Sequence, residues 1–404
     1  MLFALITVTL IGIDEALPQA MAEVKRSEGP AWVRHAIDDT SQGADGAKLG
    51  DIDGDGLLDI VTGWEEGGEV RVYRNPGPKE VRKPWPRVTV GRVGSPEDAI
   101  FVDFDGDGRL DVVSCCEGET NSVFLHRWNH ETGSFLKESS WRTEPIPALL
   151  RNQAWMQADR LEGRDGVTQK LILGSKNDGA SVGLLSLPKD GESLENLKYR
   201  KLRDAGWIMS LFTHDMDGDG DRDIVLTDRK GDRTGAFWLE NPGDETSPWP
   251  EHPIGGLGRE CVFADLGDID GDGRADLAMA VKTHEIHLLF RTPSSNWREQ
   301  VLQLDPAGIG RAKAVKIADL DGDGLADLVF TCESATGDAE GVVWLRQDPV
   351  GSWTMRPLGG PAGTKFDLIQ TLDLDGDGDL DVITCEEKEN LGLIWYENPL
   401  RSPR

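Results

Sequence analysis

A chain of 404 residues, 38% hydrophobic and 28% charged, holds enough apolar mass for a folded core. Its formal net charge of −29 excludes a nucleic-acid partner unless cations first mask the surface. The 48 glycines and 21 prolines call for many turns between short elements, and five cysteines are too few and too irregular for a disulfide framework. Cys115, Cys116, Cys332 and Cys385 fall near the end of one repeated strand and read as small buried hydrophobes.

In chain order, residues 1–22 read as a signal peptide. Leu2–Ile13 is an uncharged apolar run and Ala20-Met21-Ala22 offers a small-x-small cleavage site, although no Lys or Arg precedes the run and Asp14 and Glu15 follow it. Export is therefore expected, to a secreted, periplasmic or cell-surface location. Residues 23–31 read as a short linker, and nothing after residue 22 approaches the roughly 20 consecutive apolar residues of a membrane span.

From Asp51 a motif Asp-x-Asp-Gly-Asp-Gly-x-x-Asp begins, and it begins again at Asp103, Asp215, Asp268, Asp319 and Asp373. One gap is double and splits evenly at Asp159, where a degraded copy stands, so seven units of about 50 residues result. Each unit reads as four short strands: one into the loop, one out of it such as Leu58–Trp64, a third such as Glu69–Tyr73, and a fourth after a Pro/Gly turn. A four-stranded sheet that is apolar on both faces must be covered on both, and radial stacking does this. The expected fold is all-β, a single seven-bladed β-propeller over residues 32–399 with a tail at 400–404. The last unit stops after its third strand, and Trp32–Ile37 matches the outer strand Trp249–Ile254 of the fourth unit, so the N-terminal strand should complete blade seven. Trp85, Trp141, Trp249, Trp297 and Trp353 start equivalent outer strands and should pack between blade rims.

The repeated loop suits calcium, which takes six to eight hard oxygens: carboxylates at positions 1, 3, 5 and 9 and a backbone carbonyl at position 7. Gly at positions 4 and 6 permits the positive φ that wrapping a small sphere demands. In blade one the ligands would be Asp51, Asp53, Asp55 and Asp59, the last as bidentate donor, with the carbonyl of Leu57. Blade two offers Asp103, Asp105, Asp107 and Asp111 with Arg109 at the carbonyl position, and blade four Asp215, Asp217, Asp219 and Asp223 with Asp221. Blade five has Asp268, Asp270, Asp272 and Asp276 with Arg274, and blade six Asp319, Asp321, Asp323 and Asp327 with Leu325. Blade seven has Asp373, Asp375, Asp377 and Asp381 with Asp379. Magnesium fits less well because it holds its waters, whereas manganese is compatible. Six divalent ions would move the charge from −29 to about −17. Blade three has Leu161 and Gly163 at positions 3 and 5, with Arg160 and Arg164 nearby, and should hold no ion.

These six loops resemble those of the FG-GAP or VCBS repeat family, the calcium-loop propellers of integrin α-subunits and of many secreted bacterial proteins. The turns Asn75-Pro76-Gly77, Asn241-Pro242-Gly243 and Asn398-Pro399 are similar to those of bacterial propellers and of the propeller part of a fungal sugar dehydratase, and some polysaccharide lyases use related propellers. The resemblance implies fold and metal and leaves activity open.

The face opposite the loops is the expected ligand surface. It should carry Glu65, Glu117 and Glu333, each six residues beyond its loop's last Asp, with Glu386 and Glu387 in blade seven. Blades four and five put Arg229 and Lys282 there, followed by Lys230 and His284, so one side should be acidic and the other basic. The blade connections add Trp207, Arg259, Arg311 and others. Such a surface suits an anionic or hydroxyl-rich glycan, or an extracellular protein. The leading expectation is thus an exported, monomeric, calcium-stabilised binding module. A second is a polysaccharide lyase or sugar dehydratase, with His214, His284, Arg229, Lys230 and Arg259 as candidate catalytic groups. A third is a calcium-dependent adhesion or structural protein.

Overall fold

In the computed structural model, the glycine- and proline-punctuated strands form seven four-stranded antiparallel sheets, each one blade of a propeller. The structure describes residues 20–401 apart from 31, 151–152, 164–168, 189–192 and 245. Blade one consists of Ala44–Gly50, Asp59–Trp64, Glu69–Tyr73 and Arg87–Arg92, paired in that order. The first strands of the next five blades are Pro96–Val102, Ala154–Glu162, Ile208–His214, Cys261–Gly267 and Arg311–Ala318. Every residue of the second strands Asp59–Trp64, Asp111–Cys116, Asp223–Asp228, Asp276–Val281 and Asp381–Glu386 is buried, which requires cover on both faces of each sheet. Apolar clusters lie between consecutive blades: Ile286 and Leu288 of blade five, for example, share one with Leu328 and Phe330 of blade six. All five cysteines are buried and unpaired.

Blade seven is completed as the repeat arithmetic requires. Val33–Asp38 pairs antiparallel with Gly392–Glu397, which in turn pairs with Asp381–Glu386. The resemblance between the outer strands of blades four and seven extends to side chains. His35 stacks on Trp395 at 4.5 Å and bonds Glu397 at 2.8 Å, while His252 stacks on Trp238 at 4.2 Å and bonds Glu240 at 2.8 Å.

Two regions differ from expectation. In blade three the first strand continues to Glu162, which pairs with Gln169 across a hairpin. With Leu161 and Gly163 in place of carboxylates at positions 3 and 5, the chain extends the sheet where the other six blades turn into a loop. The second difference concerns the expected linker. Residues 23–26 belong to a strand, Ala20–Arg26, that also takes in the expected cleavage site. It lies parallel between the outer strands of blades five and six, pairing Met21 with Val301 and Lys25 with Thr354, and joins the two blades into one nine-stranded sheet. Ala22 and Val24 pack on the cluster between those blades, which is why the segment is ordered as strand. The rest of the expected leader, residues 1–19, lies outside the described residues. The tail begins docked rather than free: Arg401 N–H donates to Asp379 Oδ2 at 2.9 Å.

Candidate functional site

The two faces of the ring place their acids in opposite ways. On the loop face, the first carboxylate of each loop is aimed by backbone. Asp51 accepts N–H bonds from Gly54 at 2.8 Å and Gly56 at 3.0 Å, and Asp103, Asp215, Asp268, Asp319 and Asp373 repeat the pair. Gly54 and Gly56 have φ of 74° and 88°, and a Cβ on either would meet nothing within 4 Å, so glycine is needed for its conformation and not for space. Asp51, Asp53 and Asp59 bring carboxylate oxygens within 4.8 Å of one another, as do Asp103, Asp105 and Asp107. In blade seven, Asp377 Oδ2 and Asp379 Oδ1 are buried with no N–H donor, leaving these two carboxyl oxygens only each other as partners. Burial, reinforced by the neighbouring carboxylates, pushes Asp379 up to about 7. An all-oxygen set of crowded, dehydrated acids fits a hard divalent cation, with Asp51, Asp53, Asp55 and Asp59 as the blade-one donors and their counterparts in the other five loops.

The ninth position also has a structural part. Asp59 Oδ2 accepts from Ile52 N–H at 3.0 Å and Oδ1 from Asn75 N–H at 2.8 Å, so one oxygen closes the loop on itself and the other ties it to the turn after the third strand. Asp223, Asp276, Asp327 and Asp381 make the same two bonds. Burial lifts Asp111, Asp327 and Asp381 to about 7. The loops also differ in their neighbours. Arg74 reaches Asp53 at 2.9 Å, Arg127 pairs with Asp105, and Arg346 bonds Asp323 at 2.8 Å. The corresponding residues in blades four and seven are Glu240 and Glu397.

The opposite face carries a central funnel of about 480 Å³, lined by two tiers of charged residues. The upper tier takes one residue from each blade: Glu65, Glu117, Lys176, Arg229, Lys282, Glu333 and Glu387. Its members are held alike, since the backbone N–H groups of Glu65, Glu117, Arg229, Lys282 and Glu387 donate to the carbonyls of Gly43, Ser95, Trp207, Glu260 and Lys365, each at the entry to the same blade. Blades six, seven, one and two thus present acids, and blades three, four and five present bases. The lower tier adds Asp45, Glu97, Lys313 and Asp367, with Met209 and Phe263 as an apolar wall. Bulges in the inner strands of blades one to six lie at this end, where an extra residue turns side chains toward the axis.

Most of these charges are paired. At the seams between arcs, Lys176 bonds Glu97 at 3.3 Å and pairs with Glu117, and Lys282 bonds Glu333 at 3.1 Å. Lys388 bridges Glu387 at 2.8 Å and Glu66 at 3.2 Å. The buried Lys313 pairs with Asp367. Although burial opposes its charge, Asp367 and Asp45 keep the ammonium well above its ordinary pKa. Asp45 is raised by burial and by Asp367 and Glu97, so it holds a proton toward Asp367. Glu97 is likewise raised by burial and shares its proton with Glu117, which despite burial stays low through hydrogen bonds with Glu97, Lys176 and Glu65. Two residues at the middle of their arcs lack an opposite partner at hydrogen-bond distance. Glu65 is pushed up to about 6 by burial and by Glu66, Glu387 and Glu117. Arg229 has its nearest carboxylate, Glu260, at 4.0 Å.

Of the expected ligand residues, Glu65, Glu117, Trp207, Arg229, Lys282 and Glu333 line the funnel together with Lys230. Glu386 does not. Alternation along its strand turns it inward, where it is fully buried and accepts N–H bonds from Thr364, Lys388 and Glu389; Glu387 takes the funnel position. Arg311 lies outside the lining and bonds Glu333 at 3.1 Å from a half-exposed position. The candidate catalytic groups are scattered. His214 ends the strand that enters the blade-four loop, lowered by burial and by Arg222, while His284 and the exposed Arg259 lie outside the funnel lining. Asp45, Glu97, Lys313 and Asp367 were missed, although each stands six residues before its loop's first Asp.

The FG-GAP-like repeat family matches residues 39–114, 200–279 and 319–384, more than half of the chain. The chain is a seven-bladed β-propeller by architecture, and it belongs to the FG-GAP-like repeat family. No curated protein sequence matches it. Solved structures with the same fold include BBS1N in complex with ARL6DN, in one crystal soaked with mercury and another soaked with lead. Both are 10% identical with a TM-score of 0.53. The first match covers 91% of this chain and 97% of that one, the second 93% and 98%.

Proposed function

We propose that this protein is a binding module whose scaffold is held by divalent ions, calcium by preference, in six of its seven blades, and whose ligand sits in the funnel on the opposite face. The observation that carries the reading is the split funnel: an acidic arc and a basic arc, in which Glu65 has no cation, and Arg229 no carboxylate closer than Glu260 at 4.0 Å, within hydrogen-bond distance. Pairing at the seams fixes the wall, and the open residues are left for a guest with both hydrogen-bond donors and an acceptor group. A glycan bearing hydroxyl and acid groups fits this chemistry, and so does a protein loop of mixed charge. The protein complex formed by BBS1N, a propeller of the same fold, favours keeping protein partners in the search.

Arrays of acidic glycans, neutral glycans and peptides, probed with the calcium-loaded chain, test the reading. A ligand captured by the wild type and lost on Glu65→Gln combined with Lys230→Gln supports the funnel. Ligands that bind both forms equally would move the site elsewhere. Export, expected from residues 1–22, belongs to the same proposal and is checked by finding the protein outside the producing cell.

A further inference from the structure

Within the basic arc, one residue stands apart energetically. Arg229 is 8% exposed, yet its buried Nε has no hydrogen-bond partner. Beside it, the indole N–H of Trp207 is also buried without an acceptor. Leaving a buried donor unsatisfied is costly, more so when it is charged, so two adjacent orphan donors mark a place where an acceptor belongs. The surroundings add positive charge. The Arg229 guanidinium lies 4.8 Å and the Lys230 ammonium 4.1 Å from the centre of the Trp207 ring. Lys282 is lowered first by burial, with Arg229 and Arg311 adding to it against the pull of Glu333, as expected where cations outnumber their partners.

The site is also rigid. The N–H groups of Gly206 and Trp207 both donate to Asp228, which is itself bound by Arg203 at 2.6 Å. A Cβ on Gly206 would fall 1.9 Å from the Lys230 carbonyl oxygen, so only glycine lets these two segments touch. The donors are therefore positioned before any ligand arrives, and they need not be ordered by it.

We infer that Arg229, Lys230 and the Trp207 N–H form an oxyanion subsite, which holds a carboxylate or phosphate group of the ligand against blade four. This rests on the funnel reading above and adds the ligand's chemical class. The remainder of the ligand would then extend across the funnel toward Glu65, whose carboxyl, hydrogen-bonded to Glu117 and without a cation in contact, offers a further oxygen for hydroxyl or amine donors.

The test uses the full calcium-loaded chain and follows the indole ¹H–¹⁵N resonance of Trp207, assigned by its loss in Trp207→Phe. Titration with sodium glucuronate, inorganic phosphate and neutral methyl glucoside should give a saturable shift with one or both anions and none with the neutral sugar. The better of the two anions identifies the group. Arg229→Gln should weaken that binding by about ten- to a hundredfold, the range for losing a charge-assisted hydrogen bond, while Arg229→Lys retains part of it. Absence of a shift with either anion, or equal binding by Arg229→Gln, overturns the inference. If an array ligand is still lost on Glu65→Gln in that case, the funnel reading stands without the oxyanion subsite.

Discussion

The loop face and the funnel face both crowd carboxylates together, but they neutralise them differently. In the funnel the chain brings its own counter-charges, Lys176, Lys282, Lys313 and Lys388, or lets neighbouring acids share protons, as Asp45 does with Asp367. On the loop face the backbone aims the acids at one point, and in blade seven the buried Asp377 Oδ2 and Asp379 Oδ1 are left with only each other as partners. An internally satisfied cluster is indifferent to solvent ions, and one built around a gap is not. The stability of the two faces should therefore respond to different variables.

The largest expected effect is on the loop face. Stripping divalent ions with a chelator should lower the thermal midpoint by about 20 °C or more, since each filled site adds stability in proportion to the logarithm of ion excess and six are lost together. An unchanged midpoint in a calorimeter would remove calcium from the account. Next comes Lys313→Met in the funnel, which leaves Asp367 buried without its cation and should cost about 3–5 kcal/mol. Denaturant titration should return the same loss with and without calcium, and a loss confined to one condition would merge the two faces. Smaller again is Asp319→Ala in one loop, at about 2–3 kcal/mol when calcium is a hundredfold above its Kd. Asp159→Asn in the ion-free blade three should leave the calcium-dependent part of stability unchanged. Isothermal titration should accordingly count one ion fewer in the first variant and the same number in the second.

The smallest effect is a pH dependence in the funnel. Glu65 holds its proton more tightly in the folded chain, at about 6, than an unfolded Glu does at 4.5. The native state then binds more protons, so its stability is greatest below the unfolded value, declines as pH rises through about 6, and that contribution is gone above it. In Glu65→Gln the thermal midpoint should change less between pH 4.5 and 7 than in the wild type, and an identical slope would show that Glu65 ionises freely.

The fold and the upper tier of the funnel outside blade three were legible because they are written at fixed offsets from an unmistakable loop; Lys176 was not, because its blade lacks that loop to count from. The same ruler also gives Glu387 over Glu386, and the strand's alternation explains why only the former faces the axis. The lower tier was harder to see. Asp45 and Lys313 sit inside strands that otherwise read as apolar, and only inner-strand bulges bring them to the axis. Trp207 and Arg229 were visible as residues, but their orphan donors depend on which carboxylates lie near them, and no spacing within one blade encodes that. Ala20–Arg26 was hidden for another reason: its short alternating pattern follows an apolar run that reads as a leader, and its partners lie almost 300 residues away.

That N-terminal strand also decides how the protein would stand on a surface. Ala20–Arg26 and then Val33–Asp38 lie along the outer edges of blades five, six and seven before the chain enters blade one. Anything joined upstream of Ala20, whether a lipid, a stalk or a fused domain, would leave from the rim. That exit point is separate from both the Asp/Gly loops and the funnel, so an attachment there would cover neither face of the ring.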